Sequence, residues 1–77
     1  MIEVRMPRWG MNMKDGTVVA WLKQVGDRVE AGEPIAEIET AKTSNTLESP
    51  ATGVLARILV AEEETVVVQT VLAVIEP

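Results

Sequence analysis

Neither histidine nor cysteine occurs in this chain. Thiol nucleophiles, disulfides, thiolate metal sites and the commonest general base are therefore excluded. What remains with reactive potential is three primary amines, Lys14, Lys23 and Lys42, and twelve carboxylates. Lys42 has the most telling neighbours. It stands in Thr40-Ala41-Lys42-Thr43, between one run that ends at Glu39 and another that begins at Ser44, both strand-like, so residues 40–43 are expected to form a tight hairpin turn. A lysine at such a tip is held by backbone on both sides while its ammonium stays in water, with no evident acidic partner. Turn lysines of this kind ordinarily serve solubility, and position alone offers an accessible amine and nothing more.

The other candidates have plainer readings. Met11 and Met13 form a possible soft metal pair, but they alternate with polar residues and are expected to fill gaps in the core. Trp9 and Trp21, in a chain without Phe or Tyr, are expected to be its largest core contributors, Trp21 above all. Asp15 and Asp27 adjoin Gly16 and Gly26 and suit turns better than catalysis. Ala61-Glu62-Glu63-Glu64 reads as a charged turn whose carboxylates are solvated. No catalytic residue and no metal ligand is assigned.

The elements that must position Lys42 follow from the hydrophobic pattern. Seventy-seven residues make one small domain. Apolar residues are 47% of the chain, yet they show no sustained i, i+3, i+4 spacing and recur in short runs broken by Gly, Pro and Asp, which predicts an all-β fold. Strands are expected over 2–6, 17–23, 35–39, 44–49, 54–60, 65–68 and 71–76, with a very short one between turns at 25–29 and 30–34. Further turns are expected at Lys14-Asp15-Gly16 and Pro50-Ala51-Thr52-Gly53. The formal charge is −5 and the basic residues are scattered, so no positive field for nucleic acid or an anionic membrane surface is expected. No apolar run approaches the roughly 20 residues of a spanning helix. Protein or small-molecule partners are the expectation, and the lack of cysteine fits a reducing compartment.

A shift of 37 positions lays Gly16 on Gly53, Leu22 on Leu59, Val29 on Val66, Ala36 on Ala73, Ile38 on Ile75 and Glu39 on Glu76 without gaps. Val18 with Leu55, Trp21 with Ile58, Asp27 with Glu64 and Ile35 with Leu72 keep their character. Two repeat halves, 16–39 and 53–76, are expected to pack about a pseudo-twofold axis and share one core, with hairpin 40–43 between them.

Several stretches resemble the lipoyl domains of 2-oxo acid dehydrogenase complexes, within the biotinyl and lipoyl attachment family. They are Met6-Pro7-Arg8-Trp9-Gly10-Met11-Asn12-Met13-Lys14-Asp15-Gly16, Val25-Gly26-Asp27, Glu39-Thr40-Ala41-Lys42-Thr43 and Pro50-Ala51-Thr52-Gly53-Val54-Leu55, and the likeness covers essentially the whole chain. The Trp9-Gly10 opening is most similar to the acetoin dehydrogenase branch. The resemblance implies a flattened barrel or sandwich of two four-stranded antiparallel sheets. It implies lipoic acid in amide linkage to Lys42, with Glu39, Thr40, Ala41 and Thr43 as the recognition residues around it. The domain would be a non-catalytic carrier, in keeping with the missing His and Cys, and part of an acyltransferase component. Its expected partners are dehydrogenase, acyltransferase and flavoprotein reductase components, together with a lipoate ligase or lipoyl transferase. The expected setting is the cytoplasm of a bacterium or the mitochondrial matrix of a eukaryote.

The chain departs from the family pattern at three positions. The usual turn reads Glu-Thr-Asp-Lys-Ala, so Ala41 replaces an acid beside the lysine. Glu63 and Gln69 stand where glycines are usual. Two alternatives share the fold. A biotinyl domain would have methionines flanking the lysine, where this chain has Ala41 and Thr43, and an unmodified adaptor module would carry nothing on Lys42.

Overall fold

A computed structural model describes residues 1–77 as eight strands without a helix. They are β1 (Ile2–Arg5), β2 (Asp15–Trp21), β3 (Arg28–Val29), β4 (Pro34–Glu39), β5 (Ser44–Glu48), β6 (Gly53–Ile58), β7 (Thr65–Val67) and β8 (Val71–Glu76). Two four-stranded antiparallel sheets, ordered β1-β8-β6-β3 and β5-β4-β2-β7, form a flattened sandwich. Its core lies between them. Val18, Ile35, Ala36, Ile38 and Leu47 come from one sheet and Val4, Val29, Leu55, Leu72, Ala73 and Ile75 from the other, joined by Met6 and Val60. Period-2 alternation explains which residues face inward, and each strand that breaks it does so at a bulge. In β4 both Ile35 and Ala36 are buried because the register with β5 slips between Pro34 and Ala36.

The pseudo-twofold relation holds rung by rung. In the β2–β4 ladder Thr17 faces Glu39, Val18 faces Ile38, Ala20 faces Glu37 and Trp21 faces Ala36. Adding 37 to every number gives the β6–β8 ladder: Val54 with Glu76, Leu55 with Ile75, Arg57 with Val74 and Ile58 with Ala73. Both ladders step past one residue, Val19 in the first and Ala56 in the second. The halves also exchange turns. Gly26 N–H donates to Leu55 of the second half, and Glu63 N–H donates to Val18 of the first. Neither half buries an apolar face alone, so this exchange and the shared core make the two one folding unit.

Three expectations change. The turn placed at 14–16 lies upstream, where Met13 N–H donates to Gly10 O at 3.1 Å, and Asp15 and Gly16 already belong to β2. Gly16 is strand because its missing side chain leaves room for Ile38 and Met6, which an added Cβ would meet at 3.0 Å. Secondly, Glu62 and Glu64 do more than solvate the surface. The Glu62 carboxylate accepts Trp21 N–H at 2.8 Å, and that of Glu64 accepts Ala61 N–H at 3.1 Å, as the Asp27 carboxylate accepts Gln24 N–H at 2.9 Å in the other half. Glu64 and Asp27 supply acceptors that a tight turn leaves missing in its own backbone, and Glu62 reaches across to a strand of the other half. Thirdly, Trp9 and Met11 are outside the core, for reasons given below.

Candidate functional site

The β4–β5 hairpin carries Lys42, and the ladder runs to its last rung, Glu39 opposite Ser44. Four residues, Thr40 to Thr43, close it as expected. The closure depends on a side chain. Thr40 N–H donates to Thr43 O at 2.8 Å, the Thr40 hydroxyl donates to the same oxygen at 3.0 Å, and Thr43 N–H donates back to the Thr40 hydroxyl oxygen at 3.3 Å. The hydroxyl thus does what a carbonyl does in an ordinary hydrogen-bonded turn, and the tip needs neither Asn-Gly nor Asp-Gly. Ala41 and Lys42 occupy the two central positions and both are exposed. The two ion pairs of the molecule, Arg5 with Glu3 and Lys23 with Glu33, do not involve Lys42. Its amine is tethered to a pinned tip and unengaged.

Glu39, Thr40, Ala41 and Thr43 all gather at this tip, the half-buried Thr40 forming its inner support. Pairing of Glu37 with Thr46 and of Glu39 with Ser44 sends these four side chains outward, while Ile38 and Leu47 turn into the core. Glu37, Glu39 and Glu48 therefore form an acidic outer face running up to the lysine. In the other half, β8 and β1 take the places of β4 and β5, with Ile2 opposite Ile75.

Beside the tip is a cavity of about 390 Å³, walled on one side by Thr40, Ala41, Lys42, Thr43 and Asn45 and on the other by the loop from Trp9 to Asp15. This loop is where sequence reasoning went wrong about Trp9 and Met11. Trp9 is 42% exposed and Met11 is 93% exposed, whereas Met13 packs against the core and its sulfur receives Trp9 N–H at 3.4 Å. Residues 7–14 are not a strand, so no alternation fixes which of them faces in. Trp21 does pack on the core, with its indole N–H donating to Val60 O at 2.9 Å. The hydroxyl of Thr40 and the cavity wall were the features not anticipated. The Thr-x-x-Thr spacing across the turn was the available signal for the first.

Known proteins are similar to this chain in sequence and in fold. The family model described as "Biotin-requiring enzyme", the biotin and lipoyl family, matches residues 2–75. The acetyltransferase component of the acetoin cleaving system of Pseudomonas putida is 44% identical over 70 residues, covering 91% of this chain and 19% of that protein. The succinyltransferase component of the 2-oxoglutarate dehydrogenase complex of Staphylococcus saprophyticus is 43% identical over 75 residues, covering 97% of this chain and 18% of that protein. The chain thus spans about a fifth of these relatives. The solution structure of the lipoyl domain of the 2-oxoglutarate dehydrogenase complex from Azotobacter vinelandii matches with a TM-score of 0.81 and 32% identity, over 100% of this chain and 98% of that one. Sequence and overall fold agree, and the chain belongs to the biotin and lipoyl attachment family as a lipoyl domain, a small carrier module rather than a catalyst.

Proposed function

We propose that Lys42 carries lipoic acid through an amide on Nζ and that the domain works as the swinging arm of a 2-oxo acid or acetoin dehydrogenase complex. The observation that carries this reading is the unengaged amine at the centre of a four-residue turn pinned by Thr40. A free amine at a fixed tip can be acylated without disturbing the fold, and afterwards the tip holds the arm clear of the sheets. The residues fit the group, since an exposed primary amine is the donor that such an amide requires. When bound, lipoic acid supplies a dithiolane that takes up an acyl group with reduction of its disulfide and is reoxidised after the group has left.

The chain's own contribution is presentation and recognition. Rigid backbone on both sides of Lys42 fixes where the arm starts, and tethering replaces diffusion between active sites by a high local concentration. The outward face of Glu37, Glu39 and Glu48 suits basic surroundings around partner active sites and around the enzyme that attaches the cofactor. Dehydrogenase, acyltransferase and flavoprotein reductase components are the proposed partners, with a lipoate ligase or lipoyl transferase for loading. The proposed setting is the bacterial cytoplasm, or the mitochondrial matrix in a eukaryote.

Acyl loading tests the reading. The lipoylated domain is incubated with a thiamine-dependent dehydrogenase component of the acetoin, pyruvate or 2-oxoglutarate type and its substrate, and intact mass is recorded. One of the three is expected to add its acyl mass to the wild type and none to Lys42→Arg. Failure of all three, with a reference lipoyl domain loading normally, overturns the carrier role.

A further inference from the structure

The wall of the cavity opposite Lys42 takes no part in the hydrogen bonds that pin the hairpin. An amine presented on a turn needs a pinned hairpin, not a tryptophan and a thioether facing water next to it. Yet Met11 is more exposed than any other large apolar side chain, and Trp9 stands with it on the wall opposite Lys42. The loop is held in place. Met13 anchors it to the core, a turn joins Met13 N–H to Gly10 O, and Lys14 O accepts Val68 N–H at 3.1 Å. Gly10 leaves open space, since a Cβ built on it would meet no atom within 4 Å.

We propose that this cavity is a resting cradle for the dithiolane ring borne by Lys42, with Trp9 and Met11 as the side chains that close over it. The inference rests on lipoylation of Lys42 and adds a place for the arm when it is not at a partner. Three features select this occupant. Lys42 is itself part of the wall, so the ring enters the cavity at the high effective concentration of a short tether. The volume lies within the range of ordinary small-molecule sites and accommodates a five-membered ring with its short chain. The wall chemistry also matches. An indole face and thioethers make favourable contacts with polarizable sulfur, and covering them removes apolar surface from water. A parked ring is shielded from adventitious thiols and is released whenever a partner site binds it better.

The test uses the intact domain in unmodified and lipoylated forms, with modification confirmed by mass. Nuclear Overhauser contacts are sought between the ring methylenes and the Trp9 indole and Met11 ε-methyl protons, with Trp21 as internal reference. Contacts to Trp9 and Met11 but not Trp21 are expected. A second readout is reduction of the bound disulfide by a phosphine. Trp9→Ala and Met11→Ala are expected to speed it in proportion to the fraction of time the wild-type ring is parked, about twofold for a ring parked half of the time. Both side chains are exposed, so both variants keep the core. A modified domain with shift changes confined to 41–43, no such contacts, and reduction rates equal in wild type and variants would overturn the cradle while leaving the carrier reading intact. Absence of any lipoyl addition would instead remove the premise.

Discussion

Gly26 and Glu63 occupy equivalent turn positions 37 residues apart, and both have left-handed backbones, with φ of 99° and 70°. Gly32 and Gln69 repeat the relationship at 87° and 73°. The second half therefore holds two ordinary residues in a conformation suited to glycine, and no side-chain hydrogen bond of Glu63 or Gln69 offsets the cost. Glu63→Gly and Gln69→Gly are each expected to stabilise the domain by about 0.5–1 kcal/mol, because relief of left-handed strain exceeds the extra chain entropy of glycine. Thermal or urea unfolding checks this, and a lowered midpoint for either variant contradicts it.

Gly16 and Gly53 are also equivalent, both buried, and differ in what lies over them. A Cβ on Gly53 would overlap Glu76 O and sit 2.9 Å from Pro77 Cα, both of them backbone atoms. On Gly16 it would meet the Met6 sulfur and an Ile38 methyl at 3.0 Å, and Met6 can move. Gly53→Ala is expected to cost about 2 kcal/mol or more and Gly16→Ala about 1 kcal/mol. Equal losses in denaturant titrations would contradict the difference in neighbours.

Thr40 is the support of the lysine tip. Removing its hydroxyl in Thr40→Val leaves Thr43 N–H without its side-chain acceptor and is expected to loosen the turn by about 1 kcal/mol. Amide exchange at Thr43 should accelerate several-fold while exchange at Ile38 and Leu47 stays slow, and lipoylation of Lys42 should slow. Unchanged exchange at Thr43 would show that the backbone bond suffices. The converse change, Ala41→Asp, restores the acid usual in the family and is expected to raise the modification rate.

The Lys23–Glu33 pair, with Nζ and Oε2 3.0 Å apart, gives a pH signature. The Lys23 hydrogen bond, a second from Glu30 N–H and the charge of Lys23 hold the Glu33 carboxyl below its ordinary value of 4.5, and the hydrogen bond to Glu33 with its charge raises Lys23 above 10.5. The contribution from Glu33 is present above 4.5 and is lost as pH falls through the depressed folded value, and that from Lys23 is present below 10.5 and is lost as pH rises through the raised one. Lys23→Gln is thus expected to lower the unfolding midpoint slightly at neutral pH and not in strong acid, and a partly solvated pair makes the effect small. An equal decrement at both pH values would assign it to packing.

Much of this was legible in the chain. The 37-residue shift that paired Gly16 with Gly53 and Ile38 with Ile75 also pairs their ladders and bulges, because both halves solve one packing problem with one apolar phase. The same shift placed Glu63 and Gln69 where glycines stand in the first half. The exposed tip at Lys42 was recoverable because strands end and begin on either side of it, whereas its part as an attachment point came only from the family resemblance. Trp9 and Met11 were not, since in an irregular loop apolar character does not decide direction, and these two face the cavity rather than the core. The role of Glu62 was hidden for another reason. Its acceptor for Trp21 N–H exists only once the halves have exchanged turns, a contact 41 residues apart in sequence.

The most direct test of the central claim is competitive modification. The unmodified domain is exposed to a lipoate ligase and a biotin ligase together, with both acids, and the product is mapped by peptide mass spectrometry. One lipoyl addition at Lys42 is expected, with Lys14 and Lys23 untouched and nothing added to Lys42→Arg, which should retain the wild-type fold. Biotin at Lys42, lipoyl on another lysine, or no addition while a reference lipoyl domain is modified would contradict the account.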